Sequence, residues 1–277
     1  DTEVLDGMNR FFRHLPLLLV LCAGLGLLLY GPIAQSERYN EFADRSALFG
    51  VPNGADVLSS AGFAIVGLWG LARLWPARMH RALSTAWPGY CLFLVALVLV
   101  AAGSAFYHLA PDNGRLVWDR LPIALACAGL LAGVRADSRP GTRRRLAAVL
   151  LAIAAFASVI WWRLTDIAGA GDLRPYLLVQ ASPLLVIPVW HAIYGAPRGE
   201  RLAFGAAILL YIAAKIAELN DHALFSALER MSGHTVKHLL AASASAAITF
   251  QLIRRLRPGA AGSAPNIPDR RPPLTAN

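Results

Sequence analysis

Apolar residues in this chain do not recur at the spacing of a single buried face; they fill whole stretches, separated by short polar connections rich in Arg, Gly and Pro. A run of about 17 to 25 predominantly apolar residues is long enough to cross the hydrocarbon of a bilayer as a helix. Eight such runs can be read, at about 15–31, 56–75, 88–108, 118–134, 146–163, 174–194, 201–219 and 234–253. Hydrocarbon offers no partner for backbone N–H and C=O groups, so each run is expected to pair them internally as a helix. The predicted fold class is therefore all-α, a polytopic transmembrane helix bundle.

The ends read differently. Residues 1–14 are expected to form a cytoplasmic lead, with Asp1 to Gly7 unstructured ahead of Met8, which reads as a natural start. The run at 15–31 follows Arg10, Phe11, Phe12 and Arg13 like a signal peptide, but no small-residue cleavage site follows it, so it reads as a retained anchor. Residues 256–277, rich in Pro, Ala and Gly, are expected to be a disordered cytoplasmic tail.

Composition agrees: 56% of residues are hydrophobic and the mean hydropathy is +0.49, outside the range of soluble domains. The net charge of +9 follows from topology. Alternate connections carry Arg10 and Arg13, then Arg73, Arg78 and Arg81, then Arg135, Arg139 and Arg143 to Arg145, then Arg198 and Arg201, then Arg254, Arg255 and Arg257, with only Asp137 and Glu200 as acids among them once the extreme N-terminus is left aside. The positive-inside rule places these connections and both termini in the cytoplasm. A nucleic-acid partner is not expected, because the run Arg143 to Arg145 reads as an anchor near anionic headgroups. The acids Glu37, Glu41, Asp44, Asp56, Asp112, Asp119, Asp166, Asp172, Glu218, Asp221 and Glu229 fall on the opposite, outer side. Cys22, Cys91 and Cys127 each stand alone in an apolar run and form no metal or disulfide motif.

On that map three histidines share one depth. His108 closes the third run at the outer face, and His234 and His238 open the eighth there, one helical turn apart on one face. Three imidazoles with a fourth position left to water is the pattern of a catalytic zinc site. Asp119 opens the fourth run at the same level. Between the first two runs, an acidic loop with Glu41, Asp44, Asn53 and Asp56 offers oxygen ligands for a hard cation such as calcium. Capping of the second helix by Asn53 or Asp56 explains the same residues without a metal, and both readings stand. Glu218, Asp221 and His222 read either as partners of the histidine site or as the wet end of a helix.

The motifs G-S-A-F-Y-H (103–108), W-D-R-L-P (118–122) and H-T-V-K-H (234–238), with P-N-G-A-D-V-L-S-S (52–60) before them, resemble those of the alkaline ceramidases. They resemble in turn the wider CREST superfamily of seven-helix membrane hydrolases, which includes the progestin and adipoQ receptors. The resemblance covers about residues 37 to 255 and implies a seven-helix hydrolase core (32–255) with the first run added as an extra N-terminal helix (15–31). It implies zinc on His108, His234 and His238, and Asp119 working on the zinc-bound water. Ser104 would lie beside the metal, placed to donate to the oxyanion of an amide. The implied reaction is hydrolysis of the amide of ceramide or a related N-acyl lipid drawn from the bilayer. Thr235, Val236 and Lys237 stand where that family has aromatic residues, and Lys237 offers a partner for an anionic headgroup. A lipid-binding receptor with structural zinc and an ion- or proton-coupled transporter are the rival functions. Mid-span positions that are nearly all apolar weigh against transport.

Overall fold

The computed structural model describes residues 2–139, 144–229 and 231–257. Among them no strand occurs; the sole strand-like pairing is a bridge between Leu48 and Val51. Eight helical spans are long and apolar enough to cross a membrane, which makes the chain a multi-pass helical membrane protein. They are α1 (Thr2–Tyr30), α2 (Gly54–Ser59) continued by α3 (Ala61–Leu74), α4 (Trp87–Leu109), α5 (Asn113–Ser138), α6 (Arg144–Ile167), α7 (Arg174–Ile193), α8 (Arg198–Leu219) and α10 (Gly233–Arg254), with the short α9 (Asp221–Leu228) between the last two.

Three expectations change. Helix α1 begins at Thr2, where an unstructured lead is expected. Once the apolar run has nucleated a helix, each added residue costs little, and no proline precedes Pro16 to stop it. Helix α5 begins five residues before the apolar run, because Asp112 caps it by accepting the Arg115 N–H at 2.8 Å. The helix α9 is too short to show a period in the sequence. Residues 258–277 of the expected tail, and Arg143 of the basic run, lie outside the described residues.

Helix packing uses small side chains, as expected where no hydrophobic effect drives helices together. Ala124, Ala128, Ala132 and Ala136 form one buried stripe along α5, which packs on α4, α6 and α7. Helix α10 lies against α8 and α3. Large apolar side chains such as Leu29, Ile65, Leu209 and Leu219 point outward, the reverse of a soluble protein and suited to lipid tails. Helix α1 packs on α7 at the rim, with only 6% of its apolar window buried.

The end of the bundle far from the histidines is held by charge. Arg255 donates to Asp137 at 2.6 Å and pairs with Glu200 at 2.8 Å, while the Tyr90 hydroxyl donates to the same Asp137 oxygen at 2.6 Å. The two acids of the arginine-rich connections thus share one arginine. At the histidine end, Arg174 grips Asp172 through both carboxylate oxygens and holds its pKa below the usual carboxylate range. Asp172 in turn accepts the Ile33 N–H, fixing the segment that leaves α1.

Candidate metal centre

Close backbone contact sets the site. A Cβ on Gly103 would meet the carbonyl oxygen of Trp118, so α4 and α5 touch at the position just before Ser104 and Asp119. A Cβ on Gly233 would meet the Ala217 carbonyl oxygen and the backbone of Asp221, so α10 starts hard against the end of α8 and places His234 beside it. Ser232 caps α10 by accepting the Thr235 N–H at 2.9 Å.

The structure brings His108, His234 and His238 together. All three are buried, and one ring nitrogen from each lies within 4.8 Å of the others. The Nε2 atoms of His108 and His234 are 3.1 Å apart. Three nitrogens bound tetrahedrally to one zinc at about 2.0–2.1 Å would sit roughly 3.3 Å apart, so this donor set fits the ion with small adjustment. His108 Nδ1 is buried with no partner. Among the described residues this is the one group of three or more His, Cys, Asp or Glu side chains placed to share a metal.

Supporting residues surround the triad. Ser59 Oγ lies 2.8 Å from His238 Nδ1 and so fixes the ring with Nε2 facing the centre. Such hydrogen bonds orient metal-binding imidazoles. Asp221 Oδ1 accepts the His234 backbone N–H at 2.8 Å, and its Oδ2 accepts the Ala43 N–H at 2.9 Å. The latter bond places Phe42, whose ring lies edge-on to His108 and His234 at 4.7 and 4.5 Å between centroids. Lys237 Nζ sits 3.0 Å from Glu218 Oε1 and 2.9 Å from His234 Nε2, on the lone pair a metal would use. His222 is exposed and takes no part.

Ser104 and Asp119 meet at this centre. Ser104 Oγ is 3.4 Å from His238 Nε2 and receives the Ser60 hydroxyl at 3.1 Å, and Asp119 lines the same cavity. Asp119 is 6% exposed. It forms no ion pair with Arg115, which pairs with Asp112, or with Arg120, which sits among aromatic rings. Ser104, Asp119, Lys237 and His238 line the polar end of a cavity of about 280 Å³. Arg120, Gln180, Lys215, Glu218 and Ser245 also line it, and the rest of its wall is largely apolar, running down α4, α5, α7, α8 and α10 to Phe93, Phe204 and Ile248.

The four oxygen-bearing loop residues go to separate tasks. Asp44 accepts the Ser46 N–H and hydroxyl, Asn53 donates to the His108 carbonyl at 2.8 Å, and Asp56 accepts from Thr235 at 2.6 Å and Ser232 at 3.2 Å. Glu41 is exposed. Two of them support the histidine site: Asn53 holds the end of α4, and Asp56 ties α2 to the start of α10. Short-range sequence pattern shows which residues can bind oxygen-loving cations, and long-range pairing decides what they do instead.

No model of a known protein family, no curated protein and no solved structure matches the chain.

Proposed function

We propose that this chain is a zinc-dependent integral membrane hydrolase that cleaves the amide bond of ceramide or a related N-acyl lipid. The observation that carries the reading is that the three-histidine centre, Ser104 and Asp119 stand together at the polar head of an apolar-walled cavity. A closed structural zinc site takes four protein ligands, whereas three ligands beside a cavity leave a position for water or substrate.

A zinc ion held by the three imidazoles would supply Lewis acidity and a water acidified to near neutral pH. Asp119 would act as general base and then general acid, taking a proton from the water whose oxygen bonds to the acyl carbon and giving it to the amine that leaves as the C–N bond breaks. Ser104, held by Ser60, donates to the oxygen of the scissile carbonyl as negative charge develops there. The apolar walls between Phe93 and Ile248 take the acyl chain. The positive-inside rule, applied to the arginine-rich connections, supports both termini in the cytoplasm and a reaction toward the outer face.

The test is metal analysis of the purified chain, followed by fatty acid release from a panel of N-acyl lipids that includes ceramide. One zinc per chain and release by the wild type are expected, with both lost on joint His234→Ala and His238→Ala substitution. Undiminished release from the zinc-free double variant would overturn the reading.

A further inference from the structure

Burying a guanidinium away from acceptors is costly unless something pairs with it. Arg120 is 3% exposed, and its Nε and Nη1 have no hydrogen-bond partner. It follows Asp119 on α5 and so points about 100° away from it around the helix axis. Asp119 faces Ser104 on α4, while Arg120 reaches toward α6 and α7. There its guanidinium carbon stands 4.1 Å from the ring centre of Trp162, 5.0 Å from Tyr39 and 5.3 Å from Tyr176. The rings give it π faces but leave N–H donors without an oxygen. The same side chain lines the cavity. Of the other cations lining it, Lys215 and Lys237 both pair with Glu218, which leaves Arg120 as the cation without a carboxylate.

We propose that Arg120 binds a carboxylate carried by the headgroup of a single-chain N-acyl lipid, an N-acyl amino acid, in this cavity. Three observations select that ligand. A guanidinium edge matches a carboxylate with two parallel N–H···O bonds. At about 280 Å³ the cavity falls just below the roughly 300–1,000 Å³ of ordinary ligand pockets, which suits one acyl chain with a small headgroup. The position also separates this anion from the acyl carbon. The scissile carbonyl belongs at Ser104 and the histidines, on the α4 and α10 side, whereas Arg120 waits on the α6 and α7 side, where a headgroup beyond the amide nitrogen would extend.

This inference deepens the amide-hydrolase reading but is tested by binding alone. Affinities of the detergent-solubilised full chain are measured for N-dodecanoylglycine, N-dodecanoylethanolamine and dodecanoate. The wild type is expected to bind the glycine conjugate about 10- to 100-fold more tightly than the neutral ethanolamide, the range for a desolvated charged hydrogen-bond pair. Arg120→Gln should erase that preference while leaving the ethanolamide affinity unchanged, and Arg120→Lys should keep part of it. Equal wild-type affinity for the two amides sinks the proposal without need of any variant. So does Arg120→Gln weakening both amides alike, the mark of a purely structural cage, and so does tight binding of dodecanoate with no preference for the glycine conjugate. A chain that prefers the glycine conjugate yet never hydrolyses it would keep this inference and remove the hydrolase.

Discussion

Asp221 and His234 are joined at 2.8 Å by a carboxylate oxygen and a backbone N–H, and the second oxygen of the same carboxylate holds the backbone of Ala43. One side chain thus positions a histidine of the centre and the loop whose Phe42 covers it. Replacing it with alanine should lower zinc affinity about 10- to 100-fold, the usual cost of removing a residue that orients a ligand, with the helical content intact. Ser59→Ala, which frees His238 Nδ1, should cost a similar factor. Competition with a graded chelator reads both, and unchanged affinity in the two variants would show that the centre orients itself.

Lys237 places a cation against the His234 lone pair. Lys237→Met removes both a competing donor and a like charge, so zinc affinity should rise at least about tenfold, equivalent to 1.4 kcal/mol. The same titration measures it, and a fall in affinity would mean that the ammonium helps to build the site.

Asp119 and Ser104 separate chemistry from metal binding. Asp119→Asn should keep zinc yet lose about 10² to 10⁴ in turnover, the usual contribution of a general acid and base. Ser104→Ala should cost about 10² through one lost oxyanion hydrogen bond. Initial rates of fatty acid release at matched zinc content decide, and rates equal to the wild type would remove the assigned roles.

Arg255 is the keystone of the opposite end. Arg255→Met leaves Asp137 and Glu200 without their cation and should destabilise the fold by about 3–5 kcal/mol, as breaking a buried ion pair does. Thermal unfolding in detergent should show the loss while zinc stoichiometry per folded chain stays constant. An unshifted midpoint would mean that water enters and solvates the acids.

The spans were legible because bilayer thickness and backbone pairing impose a length and a composition that any window of sequence reveals; α4, α6, α7, α8 and α10 match the apolar runs to within a few residues. The triad was legible for the same reason, since His108, His234 and His238 sit at span ends that topology brings to one level. Gly103 and Gly233 stood within or beside those motifs, but that each is a point of backbone contact follows only from the packed helices. Asp221 was legible only as one of two readings, a partner of the histidine site or the wet end of a helix, and Ser59 only as part of a motif; Phe42 carried no signal, and what each does follows from a partner 13, 179 or 66 positions away. The aromatic surround of Arg120 draws on Tyr39, Trp162 and Tyr176 from three distant segments, and no periodicity encodes such a meeting. The acidic loop shows the converse, since Asp44 and Asp56 look like free ligands in one dimension, and in three Asp44 accepts from Ser46 and one oxygen of Asp56 accepts from Thr235.

Phe42 closes over His108 and His234, while His238 faces the largely apolar cavity. How tightly a metal is held and how quickly it comes and goes are then governed by different parts of the molecule. The imidazoles and the residues that orient them would set the equilibrium, and a single aromatic ring on a loop stapled by Asp221 would slow exchange. A seated ion would then exchange slowly with the aqueous phase, and a chelator titration of this protein would need long equilibration before it reports affinity.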